Sequence, residues 1–168
     1  MSAVPSRIAD NVAQNATLEA RLARFPAQQI WLASQLAVSY READSAASDA
    51  LPLVLLHGIG SGAASWVQQF EVLGETRCVL AWDAPGYGAS TPVEADSPAA
   101  GDYATVLKEW LDALGIERCV LLGHSLGAIV AGAFAVTNPQ LVAGLLLLSP
   151  AGGYGASPAD VRESKRNQ

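Results

Sequence analysis

Gly123-His124-Ser125-Leu126-Gly127 is the stretch of this 168-residue chain whose residue types and spacing point most directly to chemistry. It fits G-x-S-x-G, and it lies between an apolar run at Cys119–Leu122 and a helical pattern over Ser125–Val136. A strand-to-helix turn this sharp forces Ser125 into a strained backbone conformation and requires glycine on both flanks. It also lifts the hydroxyl clear of the sheet at a helix N-terminus, where the dipole and free N–H groups favour developing negative charge. An ordinary Gly-rich loop with Ser125 as N-cap would carry the same letters. Strand, turn and helix in this order favour a nucleophile.

A nucleophilic serine needs an oxyanion hole, two backbone N–H groups converging on one point. Leu126, the residue after Ser125, supplies one. The other is expected from Ile59, or else Gly60, in His57-Gly58-Ile59-Gly60 at the end of the strand-like run Leu53–Leu56. The same loop has a rival reading. Gly58-Ile59-Gly60-Ser61-Gly62-Ala63 matches G-x-G-x-x-A, and Asp83 ends the next strand, as in a Rossmann dinucleotide site. Asp83, however, belongs to a Pro-Gly turn, and a nucleotide site leaves the elbow at Ser125 unexplained.

That turn is Asp83-Ala84-Pro85-Gly86-Tyr87-Gly88. His57-Gly58, the Asp83 turn and the Ser125 elbow, in this order, resemble the α/β-hydrolase superfamily, above all its esterase, lactonase and C–C-bond hydrolase branch. The resemblance covers about residues 29–154. It implies a Ser nucleophile and a structural role for Asp83 and for His57, with Trp66 either an aromatic wall of the pocket that includes His57, Gly58 and Gly60 or, equally, a core tryptophan. Serine at the elbow sets the chain apart from haloalkane dehalogenases and epoxide hydrolases, which resemble this family but place Asp there. No metal or cofactor is expected, and the expected partner is a small-molecule substrate.

A serine hydroxyl is a weak nucleophile without a base, and the base needs an orienting acid. The family order is Ser, then Asp or Glu, then His. Both histidines, His57 and His124, precede Ser125, and the acids beyond it are Asp160 and Glu163, in a polar tail. The sequence is therefore similar to the N-terminal part of a longer enzyme, truncated after the sixth strand, with the triad acid and His missing. A noncatalytic small-ligand-binding protein on the same fold is the alternative.

The elements that must position these residues follow from the hydrophobic pattern. Apolar runs at Leu53–Leu56, Cys78–Trp82, Cys119–Leu122 and Gly144–Leu148 alternate with helical patterns at Ala63–Leu73, Asp102–Leu114 (capped by Gly115) and Ser125–Val136. Strands without a polar face alternating with helices mean an α/β fold, a mostly parallel sheet flanked by helices. Gln29–Arg41 reads as a hairpin at its start, and Asn11–Phe25 as a helix stopped by Pro26. The resulting organisation is a helical extension at 1–28, a core at 29–154 and a polar tail at 155–168.

Composition narrows the class further. Apolar residues make up 51% of the chain and charged residues 15%, which excludes disorder. The net charge is −6, without a basic block, so neither a nucleic acid nor an anionic membrane is an expected partner. The apolar stretches Leu126–Val136 and Leu141–Leu148 fall short of the ~20 residues of a membrane span. Residues 1–10 carry no signal-peptide pattern, so a cytoplasmic protein is expected. Family sheet order puts Leu53–Leu56 between the strands of Cys78 and Cys119, about 9–10 Å apart, too far for a disulfide. In the same order Gly144–Leu148 is an interior strand, so the truncation is expected to leave it as an exposed apolar edge and the chain poorly soluble.

Overall fold

The computed structural model describes residues 17–44 and 49–151. Residues 17–22 form a helix, α1; residues 23–25, expected to continue it up to Pro26, instead close as a turn in which Arg24 and Phe25 N–H reach back three residues, and residues 11–16 of the expected helix lie outside the described residues. The elements that follow are β1 (Gln28–Trp31), β2 (Ala37–Ala43), β3 (Leu53–Leu56), α2 (Val67–Leu73), β4 (Val79–Trp82), α3 (Ala100–Ala113), β5 (Cys119–His124), α4 (Leu126–Thr137) and β6 (Val142–Leu148). Short 3-10 turns precede α2 (Ala63–Trp66) and β6 (Pro139–Leu141). The strands form one sheet in the order β1-β2-β4-β3-β5-β6. The hairpin β1–β2 pairs antiparallel onto β4, and β4, β3, β5 and β6 run parallel. This is the expected α/β architecture, with the three expected crossovers through α2, α3 and α4.

Because side chains alternate along a strand, the apolar strands supply two cores at once. Val54 and Leu56 of β3 and Leu80 and Trp82 of β4 pack with Leu107 and Trp110 of α3 and Phe134 of α4. Leu53, Leu55, Val79 and Ala81 face the other way and pack with Phe25 and with Val67 and Phe70 of α2. Burying both faces is what removes a polar face from these sequences. The N-terminal segment is tied down beside α2, where Arg21 forms a forked ion pair with Glu71 at 2.6–3.2 Å. The Arg41 guanidinium donates to the carbonyl of Phe25.

Local chemistry sets the helix ends. Asp102 on the first turn of α3 accepts the Ala99 N–H at 2.8 Å. At the other end Gly115 takes φ 70°, and Ile116 N–H reaches back to the Leu111 carbonyl at 2.9 Å, a Schellman closure. Where the pattern suggested one helix from Ala63, the first four residues wind as a 3-10 turn, whose first N–H, on Ala63, is held by the Asp83 carboxylate at 2.7 Å.

The cysteines flank β3 as expected, and both are free thiols. Burial pushes the Cys78 thiol up to about 12, helped by the nearby Glu42 and Asp44, and the Cys119 thiol up to about 11. Neither forms a reactive thiolate near neutral pH.

The outer strand β6 is unlike the others. Leu145, Leu146, Leu147 and Leu148 are each 39–45% exposed, and among the described residues no strand pairs with the free edge. A strand with no charged residue and an open hydrogen-bonding edge is a template for another strand. The 168-residue chain is therefore expected to self-associate in a concentration-dependent way, and Leu146→Lys to reduce this. A monodisperse monomer across a hundredfold concentration range in size-exclusion chromatography with light scattering would refute it. Among the described residues no helix is long and apolar enough to cross a membrane.

Candidate active site

β5 delivers Gly123 and His124 at the carboxyl edge of the sheet, and α4 begins at Leu126. Between them Ser125 adopts φ 54° and ψ −113°, a conformation that side chains other than glycine's rarely occupy. The flanking glycines make this turn sterically possible. A Cβ on Gly127 would overlap the Leu56 carbonyl oxygen and come within 2.7 Å of the His57 oxygen. One on Gly123 would overlap the Gly127 carbonyl and lie 2.6 Å from Ala128 Cα. Here α4 presses onto the end of β3 with no room for a side chain.

The loop after β3 comes equally close. A Cβ on Gly58 would sit 2.9 Å from Ser125 Cβ and 3.2 Å from His124 Nδ1. Residues 58–61 form a turn closed by Ser61 N–H to the Gly58 carbonyl at 3.2 Å, with Gly60 at φ 73° in the position that demands it. Among the described residues the N–H groups of Ile59 and Leu126 have no backbone acceptor. Ile59 stands on the loop that meets Ser125 at Gly58, and Leu126 is the first residue of α4.

His57 is 2% exposed, and both of its ring nitrogens are engaged. Ala84 N–H donates to Nε2 at 2.9 Å, which makes Nδ1 the protonated nitrogen, donating to the Gly58 carbonyl at 2.8 Å. The ring also meets Tyr87 edge-on at 4.9 Å. A trans peptide is planar, so a pinned Gly58 carbonyl sends the Ile59 N–H the opposite way. His57 thus fixes the direction of the Ile59 N–H, the group expected from the sequence as one N–H donor. It borders a cleft of about 350 Å³ together with Gly58, Trp66, His124 and Leu148, so Trp66 both walls the cleft and packs on the α2 core. Gly60, expected in the pocket, is not part of that lining, because it occupies the φ 73° position of the 58–61 turn, and neither are Ile59, Ser125 and Leu126.

Asp83 organises the opposite side. Its carboxylate accepts Ala63 N–H at 2.7 Å and the Ser39 hydroxyl at 2.9 Å, and Ser90 donates to its carbonyl at 2.6 Å. Cβ atoms on Gly62 or Gly88 would strike that carboxylate, at 2.7 and 2.6 Å. The acid a dinucleotide ribose would need is consumed inside the fold, and so is the Ala63 N–H at the third position of G-x-G-x-x-A.

Residues 52–167 match the family model described as alpha/beta hydrolase fold. The chain belongs to the α/β-hydrolase family. Curated relatives include a 1-acylglycerol-3-phosphate O-acyltransferase of Sus scrofa, 38% identical over 62% of this chain and 31% of that one. A 2-hydroxy-6-oxononadienedioate/2-hydroxy-6-oxononatrienedioate hydrolase of Pseudomonas putida is 43% identical over 63% of this chain and 38% of that one. Among solved structures, a membrane phospholipase A described as a bacterial virulence factor is 27% identical with a TM-score of 0.73, covering 95% of this chain and 51% of that one. The chain thus spans about a third of the curated relatives and half of that structure.

Within this α/β-hydrolase core, neither histidine is placed as a base for Ser125. His57 is consumed as described, and His124 is exposed beside the cleft. Burial holds the His57 ring below the usual histidine range, against the smaller opposing effects of the Gly58 carbonyl and Asp83. A folded-state value below the unfolded one means that the unfolded chain binds the proton more readily. His57 therefore contributes stability that is complete above the unfolded value of about 6.5 and is lost as pH falls through and below it. The melting temperature is expected to decline from that pH downward, and the decline to flatten in His57→Gln, which should cost roughly 1–3 kcal/mol at neutral pH. Parallel wild-type and variant curves between pH 7.5 and 5 would show that His57 does not carry this dependence.

Proposed function

We propose that the protein is a serine hydrolase that cleaves an ester, lactone, thioester or activated C–C bond of a small-molecule substrate. Ser125 Oγ bonds to the substrate's carbonyl carbon while its proton passes to a histidine base. The carbonyl oxygen becomes an oxyanion held by Ile59 and Leu126 N–H. Collapse expels the leaving group, which takes that proton, and water then releases the acyl group from Ser125. The base and its orienting acid come from outside the described residues. The single observation that carries this reading is the strained φ of Ser125 between two glycines that admit no side chain. An ordinary loop has no need of that strain. Relatives named as an acyltransferase, a hydrolase and a phospholipase accord with attack at an acyl carbon. The test is covalent capture by a fluorophosphonate, with the adduct located by peptide mass spectrometry. The natural protein, folded, should carry it on Ser125.

One observation favours a second reading, noncatalytic binding of a small ligand in the cleft. Among the described residues no histidine serves Ser125. That reading expects no adduct and ligand binding unchanged in Ser125→Ala.

A further inference from the structure

We infer that Ala151, just beyond β6, is a positioning residue for the oxyanion donor Leu126, acting through the carbonyl of Ser125. The inference rests on the reading of Ser125 as nucleophile and adds a part to it. Among the described residues the Ser125 carbonyl accepts three N–H groups: Ala128 at 3.1 Å, Ile129 at 3.4 Å and Ala151 at 3.3 Å. The first two are the ordinary bonds of a helix start. The third comes from a different element. β6 follows β5 in register, His124 opposite Leu148, and Ser125 N–H donates to the Leu148 carbonyl at 2.9 Å. Ser149 then leaves the extended path with φ 44°, and Pro150 fixes the next φ. Ala151 N–H thereby returns to the carbonyl of the residue whose N–H Leu148 has just bound.

The geometry matters because the Ser125 carbonyl and the Leu126 N–H belong to one planar peptide group and point in opposite directions. Whatever pins the carbonyl aims the N–H. The same logic holds on the facing loop, where His57 and Ser61 pin the Gly58 carbonyl and so aim Ile59 N–H. Each proposed donor is thus held from behind. On the Leu126 side, the one pin among the described residues not already imposed by the helix is Ala151.

Ala151→Pro removes the N–H, whereas Ala151→Gly keeps it. With p-nitrophenyl acetate as probe, the natural protein carrying Ala151→Pro should show kcat lowered about 10-fold. That is less than the 10²–10³ of deleting an oxyanion donor outright. KM should stay within about twofold, and Ala151→Gly should match wild type. In the same protein, the amide NMR cross-peak of Leu126 should move in Ala151→Pro and not in Ala151→Gly. Unchanged kcat together with an unmoved cross-peak in a folded Ala151→Pro protein would overturn the inference. If Ala151→Pro does not fold, lactate in place of Ala151 removes only the N–H and takes over both readouts. If the wild type forms no fluorophosphonate adduct on Ser125, the nucleophile reading is what fails. The Leu126 cross-peak then decides the pinning alone.

Discussion

Ser125→Ala is expected to eliminate fluorophosphonate capture and to lower esterase turnover of the natural protein by about 10⁴–10⁶, the range for removing a catalytic serine. The size of the effect follows from what each group supplies. The N–H groups of Ile59 and Leu126, the proposed oxyanion donors, survive the substitution and would still polarise a carbonyl, but the covalent route is closed. Stability should move the other way. Ser125 is held at φ 54° and ψ −113°, and such backbone strain costs on the order of 1–3 kcal/mol. Ser125→Gly relieves it at a residue with no side chain to clash, so its melting temperature should rise even as its activity vanishes. A gain of about 1 kcal/mol remains after the extra entropy glycine brings to the unfolded chain. Thermal melts of wild type, Ser125→Ala and Ser125→Gly, run beside the labelling assay, check both halves. An adduct persisting in Ser125→Ala would move the nucleophile elsewhere. A Ser125→Gly protein less stable than Ser125→Ala would mean that the turn stores no strain.

What could be read from the letters was whatever sterics writes into residue type. Glycines two residues either side of Ser125, between an apolar strand and a helix, define a turn that few other sequences satisfy. The central strands were equally legible, because burial on two faces leaves no polar positions in Leu53–Leu56 or Val79–Trp82. The hairpin was legible, but its place in the sheet was not: β2 pairs with β4 rather than with the next strand in sequence. Pairing partners are long-range, and nothing in Ala37–Ala43 names β4. His57 shows the same limit at the site. Its position beside Gly58 marked it as part of the loop, yet the engagement of both ring nitrogens depends on Ala84, twenty-seven residues away. Ala151 carried no signal, since its contribution is a backbone N–H that every residue but proline has.

The sharpest stability contrast lies within α4. Gly127→Ala should cost more than about 4 kcal/mol, in the exceptional class of single substitutions, while Gly132→Ala should gain about 0.5–1 kcal/mol. Both exchanges put the better helix former into the same helix, so propensity alone predicts the same sign for both. Contact decides otherwise. The added methyl at Gly132 meets nothing within 4 Å. At Gly127 it meets the backbone of Leu56 and His57, which cannot rotate away as a flexible side chain would. Relief requires α4 to lift off the end of β3, and that movement pulls Ser125 away from Gly58 and separates Ile59 N–H from Leu126 N–H. The fall in melting temperature should be roughly 10 °C or more, with Gly132→Ala up by a few degrees. If Gly127→Ala melts within about 2 °C of wild type, α4 is not seated on β3 as described. The close approach that brings the two proposed oxyanion donors together would then be absent.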